Sequence, residues 1–350
     1  MKFILKLVML LSIIIVTNSC KKNDPVPAAK NVYIAGSISK GTVAVATYWK
    51  NGVATQLTDG TKGAIAYSIA VSGNDIYVGG IEQDTPGRNA IIKYWKNGIP
   101  TTLSVGPLAE FGSMTVVGND VYVTGSEAEN IGRVAKYWKN GVETRLTDGK
   151  YYAHAYGIAV SGNDVYIVGS DGSPSGGAKF WKNTTAVNLP GFYVFPLSIA
   201  VEGNDVYVGG IQLVGNKKVA MYWKNGQSVA LSDGTRDANI RAIAVHNGVV
   251  HATGSEIDPV NVPIPRYSVG KYWNSKGASV NLSNTTDWNW INPYAIAVYG
   301  NDVFIAGYEV DGINGYNYII TKFWKNAVET DIGNKTSGIV STGRAIFVTQ

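Results

Sequence analysis

The sequence predicts an all-β chain: a seven-bladed β-propeller of four-stranded antiparallel blades, closed by the C-terminal strand pairing into the first blade. Three observations carry that expectation. A Tyr-Trp or Phe-Trp motif occurs seven times, a hairpin motif runs in step with it, and the two chain ends supply complementary parts of one blade.

The aromatic motif reads TYWKNG at 47–52, KYWKNG at 93–98 and again at 136–141, KFWKNT at 179–184, MYWKNG at 221–226, KYWNSKG at 271–277 and KFWKNA at 322–327. Successive motif tryptophans stand 42 to 51 residues apart, a period that belongs to propeller blades. The hairpin motif reads SIAVSGNDIYVGG (68–80), SMTVVGNDVYVTG (113–125), GIAVSGNDVYIVG (157–169), SIAVEGNDVYVGG (198–210), AIAVHNGVVHATG (242–254) and AIAVYGNDVFIAG (295–307). Two short β-branched runs around a Gly-Asn-Asp or Asn-Gly turn predict a tight hairpin. The Lys-Asn turn after each tryptophan predicts a second hairpin, whose last strand runs in several blades into Leu-Thr-Asp-Gly or a relative. One repeat is therefore four strands, a to d, and one blade.

The first strand, NVYIAG (31–36), matches strand b and has no strand a before it. The last, RAIFVTQ (344–350), matches the RAIAV of 241–245 and is a strand a without a following b. Pairing the two completes the seventh blade and removes edges that would invite aggregation.

A residue type present on the same strand of every blade answers a demand made seven times. Packing between blades is such a demand, whereas a ligand normally is not. Tyr and Trp at adjacent positions face opposite sides of their strand, so each blade offers one aromatic to each neighbour. Asp75, Asp120, Asp164, Asp205 and Asp302 suit hairpin corners and lack the alternating acidic spacing of a calcium loop. The small Ala70, Ala159, Ala200, Ala244 and Ala297 fall where strands converge on the axis.

The pattern resembles kelch-type propellers in the double glycine ending strand b, Gly79-Gly80 and Gly209-Gly210, and in the downstream aromatic and tryptophan. It departs from them because Tyr and Trp are adjacent, as in Tyr94-Trp95, and because other repeats keep only the second glycine, as at Gly125, Gly169 and Gly254. The resemblance spans residues 31–350 and implies architecture. It implies no activity, since such blades serve binding proteins and oxidases alike.

Residues 1–19 read as a separate object. Lys2 and Lys6 precede an apolar run from Leu7 to Val16 broken only by Ser12, and Thr17-Asn18-Ser19 leads to Cys20, the one cysteine. The run is too short to span a bilayer. It resembles a bacterial lipoprotein signal, which implies cleavage before Cys20 and a lipid on its sulfur; the third position before the cysteine, usually Leu, is Thr17 here. An ordinary secretory signal is the other reading. Residues 20–30, with Pro25 and Pro27, form a tether under the lipoprotein reading. The expected address is the outside of a bacterial membrane, at the outer membrane or cell surface, with membrane contact through the lipid alone.

Removing residues 1–19 lowers the net charge from +5 to +3, too small and scattered for a nucleic-acid partner. A single cysteine leaves no internal disulfide. The three histidines, His154, His246 and His251, form no metal motif, and no nucleophile elbow or phosphate loop appears. No catalytic residue, metal or cofactor is assigned, and a monomeric propeller is expected. Loop carboxylates such as Glu82, Asp84, Glu127, Glu129, Asp258 and Asp311 offer acid–base pairs that a linear sequence cannot select; solvated charge is the plainer reading.

The a–b and c–d turns repeat almost verbatim, whereas the b–c and d–a connections on the opposite face differ in every blade, and binding concentrates on variable loops. Their aromatics include Tyr151, Tyr152, Phe192, Tyr193, Phe195, Trp288 and Trp290; the last two are the only tryptophans outside the repeated motif. One register also varies. Two residues before the Ile-Ala-Val core of strand a the blades offer Arg241, Tyr294, Arg344, Tyr67, Gly112, Tyr156 and Leu197 in ring order. Four consecutive blades thus present Arg, Tyr, Arg, Tyr at the channel mouth, a seat for a carboxylate- or sulfate-bearing ligand. The alternative is that the tyrosines pack on loops and the arginines are solvated. Three functions fit: a binding module for a glycan or protein partner, a polysaccharide lyase or hydrolase at the channel mouth, or a scaffold subunit of an envelope assembly.

Overall fold

A computed structural model of the chain describes residues 30–85, 89–129, 131–174, 177–257, 268–282, 290–311, 318–332 and 339–350. Within them lie seven four-stranded antiparallel sheets, each in the order a–b–c–d. The innermost strands are Ala64–Ser72, Glu110–Val117, His154–Ser161, Val194–Glu202, Ala238–His246 and Trp290–Tyr299, with Ile339–Thr349 as the innermost strand of the first blade. That last strand pairs antiparallel with Asn31–Lys40 and closes the ring. It begins at Ile339, five residues earlier than the motif match, because Thr342 to Ile339 continue the ladder opposite Ser37 to Lys40.

The core is divided among the seven blade interfaces. Trp138 of the third blade packs against Tyr77, Ile92 and Tyr94 of the second, and Trp223 of the fifth against Tyr166, Val168 and Phe180 of the fourth. The other interfaces follow the same plan. All seven motif tryptophans are buried, none above 2% exposed. The aromatic before each one faces the opposite neighbour and stays half-buried. The repeated motif is scaffold.

The two hairpin motifs recur together because their turns are tied to each other. Asn97 adopts a left-handed φ of 51° before Gly98 at 83°, the geometry a two-residue hairpin turn requires. Its side chain accepts from the Ile76 amide and donates to Asp75. Lys96 meets Asp75 at 2.8 Å and lies over the Tyr77 ring. The same triad recurs at Asp120, Lys139 and Asn140, at Asp164, Lys182 and Asn183, and at Asp205, Lys224 and Asn225. Asp302 takes Lys325, Asn326 and also Lys30.

A bulge interrupts every innermost strand. Ladder pairing jumps from Ala66 to Ser68, from Ala155 to Gly157, from Pro196 to Ser198, from Ile240 to Ala242 and from Pro293 to Ala295, leaving one residue unpaired each time. The jump falls between Phe111 and Met114 in the third blade and at Arg344 in the first. The second glycine of strand b lies across from this bulge. A Cβ on Gly254 would sit 1.9 Å from the Asn239 carbonyl oxygen, and one on Gly80 would sit 2.2 Å from that of Ile65. Glycine stands there because the bulged backbone occupies the space.

Candidate functional site

The unpaired bulge residues are Tyr67, Tyr156, Leu197, Arg241, Tyr294 and Arg344, with Gly112 in the third blade; this is the register that varies in sequence. A bulge re-aims a side chain out of the ladder, and here all seven residues line one axial cavity of about 310 Å3. Gly112 has no room for a side chain, because a Cβ there would lie 2.1 Å from the Ala155 carbonyl oxygen.

Four of them form a continuous stack. The Arg241 guanidinium lies 5.2 Å from the Tyr294 ring centre, and the Arg344 guanidinium approaches the same ring at 5.2 Å from the next blade. Arg344 also lies 5.1 Å from the Tyr67 ring, which stacks on Phe111 at 6.0 Å. Cation–π contact holds both arginines in place without neutralising them. Burial raises the Tyr67 hydroxyl above its ordinary pKa, opposed by Arg344. Tyr308, stacked on Tyr294 at 5.5 Å, is pushed up to about 12, by burial first and then by Tyr294.

A second cavity of about 190 Å3 adjoins the mouth and shares Tyr67, Gly112 and Tyr156 with it. Its wall holds Glu110, whose carboxylate lies 2.9 Å from His154 Nδ1 and 3.2 Å from the Arg133 guanidinium. Arg133 is buried and donates to the Leu108 carbonyl and to Ser126. The Glu110 pKa is lowered, chiefly by the His154 hydrogen bond, against the opposing effect of burial. His154 stacks on Tyr156 at 5.4 Å with nearly parallel planes.

Other candidates are dispersed. Tyr151, Tyr152, Phe192, Tyr193 and Phe195 are all between 45% and 69% exposed on the loop face. Trp290 opens the innermost strand of the seventh blade, pairs with Val310 and is 45% exposed. Trp288 lies outside the described residues, as do Cys20, Asp258 and the tether before Lys30.

The loop carboxylates prove to be structural where they are described. Glu82 meets Lys93 at 3.1 Å, Glu127 and Glu129 meet Lys136 at 2.6 and 3.0 Å, Asp171 meets Lys179 at 2.8 Å, and Glu309 meets Lys322 at 2.7 Å. Glu256 stands 4.0 Å from Lys271. Each lysine is the residue two before a motif tryptophan. In each of these blades one acid stands two after the second glycine of strand b, with Glu129 as an additional partner of Lys136, and in the two blades where Thr47 or Met221 replaces the lysine, that position is Ile38 or Gln212. This internal covariation was legible in the sequence once those two positions were compared. Among the described residues no group of three or more His, Cys, Asp or Glu is arranged to hold a metal ion.

No family model matches the chain, and a comparison with curated proteins finds no match. Among solved structures it is similar to Pyrococcus horikoshii acylaminoacyl peptidase (orthorhombic crystal form), at 12% identity and a TM-score of 0.45, over 81% of this chain and 49% of that one. The chain thus spans about half the length of that protein, and a likeness of this degree carries no argument about activity.

Proposed function

We propose that the protein is a lipid-anchored, extracytoplasmic binding module that holds a glycan or a protein partner on its variable-loop face. The observation supporting this is the distribution of exposed aromatics. Four lie in two successive d–a connections and Phe195 just inside the strand that follows the second, while the repeated turns of the other face present single aliphatics such as Val53, Ile99, Val142 and Val328. Tyr193 adopts a left-handed φ of 48°, a conformation costly for a bulky residue and concentrated at binding sites. It meets Phe192 edge to face at 4.3 Å. Exposed rings on a rigid scaffold suit the apolar face of a sugar or a partner's side chain.

The kelch-like reading of the repeat belongs to this proposal as a resemblance of motif. So does the anchor, which rests on the apolar run ending at Cys20. Changing Cys20 to Ala is expected to release the protein from the membrane fraction; persistent attachment with no lipid mass on the N-terminal peptide overturns the anchor. The binding reading is tested with a glycan array and a pull-down, repeated with Trp290→Ala and Phe192→Ala. Loss of the ligand at an unchanged melting temperature supports it. No ligand in either screen, or ligands indifferent to both substitutions, counts against it.

A second reading, a polysaccharide lyase or hydrolase, is favoured by one feature: the Glu110–His154 contact beside the channel mouth, with Tyr156 stacked on the imidazole. A carboxylate that orients a histidine is an acid–base arrangement. Turnover of an acidic polysaccharide that vanishes in His154→Ala supports it, and turnover retained by that variant removes it.

A further inference from the structure

We propose that the channel mouth is an oxyanion seat that takes the carboxylate of a sugar acid. The proposal deepens the binding-module reading and rests on it for the part of the ligand that lies outside the channel. Three observations converge.

The first is charge without a counter-charge. The lysines of the scaffold are paired: those beside the tryptophans with strand-b acids, those of the hairpin turns with corner aspartates. Arg241 and Arg344 have no carboxylate partner among the described residues, and the axial cavity they share is lined by no Asp or Glu. Each instead faces tyrosine rings, which orient a guanidinium and leave its in-plane N–H groups free.

The second is a buried donor with nothing to donate to. Nε of Arg344 is shut away from solvent and has no acceptor, an arrangement that is costly unless a ligand or water completes it. A carboxylate meets a guanidinium through two parallel hydrogen bonds, and a turn of the Arg344 side chain toward the cavity it lines would offer Nε–H as one of them.

The third is the wall. Tyr67, Tyr156 and Tyr294 share the cavity with Ser68, Ser113 and Ser198. Ser68 and Ser198 each accept a backbone amide from the next blade, from Met114 and Ile243, so their own hydroxyl protons remain available. A ring of hydroxyls around two guanidiniums matches a polyhydroxylated acid, whereas a peptide carboxylate would use the arginines alone. A cavity of about 310 Å3 falls within the size range of small-molecule sites.

Calorimetric titration of the full-length protein tests this with trigalacturonate, its fully methyl-esterified form, and a sulfated neocarrabiose, a disaccharide that carries sulfate and no carboxylate. Trigalacturonate is expected to bind at least tenfold tighter than the ester, which has the same shape without the charge. In Arg241→Gln/Arg344→Gln its affinity is expected to fall to that of the ester. Arg344→Lys, which keeps the charge and loses the planar fork, is expected to fall between the two. Equal binding of acid and ester by the unmodified protein, or no binding of trigalacturonate, overturns the proposal without recourse to a variant. A sulfated disaccharide that binds where trigalacturonate does not overturns the carboxylate assignment. Trp290→Ala and Phe192→Ala separate this seat from the loop face: loss of a partner in those variants, with acid and ester still bound alike, leaves the binding module standing and removes the seat.

Discussion

Lys93 Nζ lies 3.1 Å from the Glu82 carboxylate, with both side chains largely buried in the second blade. Lys93 pairs across the ladder with Gly80, not with Glu82. Glu82 stands two residues after Gly80 on the same face of strand b, so the lysine meets it diagonally across the ladder. Gly80 itself makes room for the bulged strand a, where a Cβ would meet the Ile65 carbonyl.

Breaking that pair from one side leaves a buried charge alone. Lys93→Met and Glu82→Gln are each expected to cost about 3 kcal/mol. The double variant reproduces the Met221 and Gln212 of the fifth blade and is expected to recover at least about 1 kcal/mol of coupling. Urea denaturation of the four proteins checks it; strictly additive losses would show that the two residues do not interact.

The glycine opposite the bulge should be intolerant of any side chain. Gly254→Ala drives a methyl group into the Asn239 carbonyl and is expected to cost about 3 kcal/mol or more. Gly226→Ala, at a φ of 84° with nothing within 4 Å, meets only backbone strain and should cost about 1 kcal/mol. The contrast is read from the two denaturation midpoints.

Acid should loosen the repeated-turn face. Asp75, Asp164 and Asp205 are held below their ordinary pKa by Lys96, Lys182 and Lys224 first and then by the turn asparagines. For Asp120 the larger cause is Asn140, and for Asp302 it is Lys30. A depressed folded pKa contributes stability that is fully present above the ordinary value of 3.8 and is lost as pH falls through the folded value. The melting temperature is therefore expected to fall as pH drops below about 4. Replacing these aspartates with Asn should flatten that slope; an unchanged slope would mean other groups carry it.

Ring closure depends on strand Ile339–Thr349. It supplies the buried Ile346 and the packed Phe347 and Val348. Deleting residues 339–350 exposes that surface and one edge of Asn31–Lys40, and is expected to cost more than about 5 kcal/mol and to promote aggregation. Thermal melting with light scattering checks this, and a truncated chain that melts like the intact one would refute closure by this strand.

The sequence by itself determined the number of blades, their strand order, the closure and the structural duty of the tryptophans. These are legible because each blade repeats the same local demand, so comparing the copies separates scaffold from exception. The same comparison marked Tyr67, Arg241, Tyr294 and Arg344 as exceptions. It also contained the pairing of Lys93 with Glu82 and its equivalents, although the acids read singly as solvated charge. Only the tertiary structure decided what the exceptions do to one another. That Arg344 lies between Tyr67 and Tyr294 follows from closure, which brings the last strand against the first blade. The bulge that turns these side chains into the channel is a backbone slip of one residue; the second glycine of strand b marks a close approach there without saying which way the side chains turn. The contact of Glu110 with His154 joins the first residues of two neighbouring innermost strands, at positions the repeated motif does not reach.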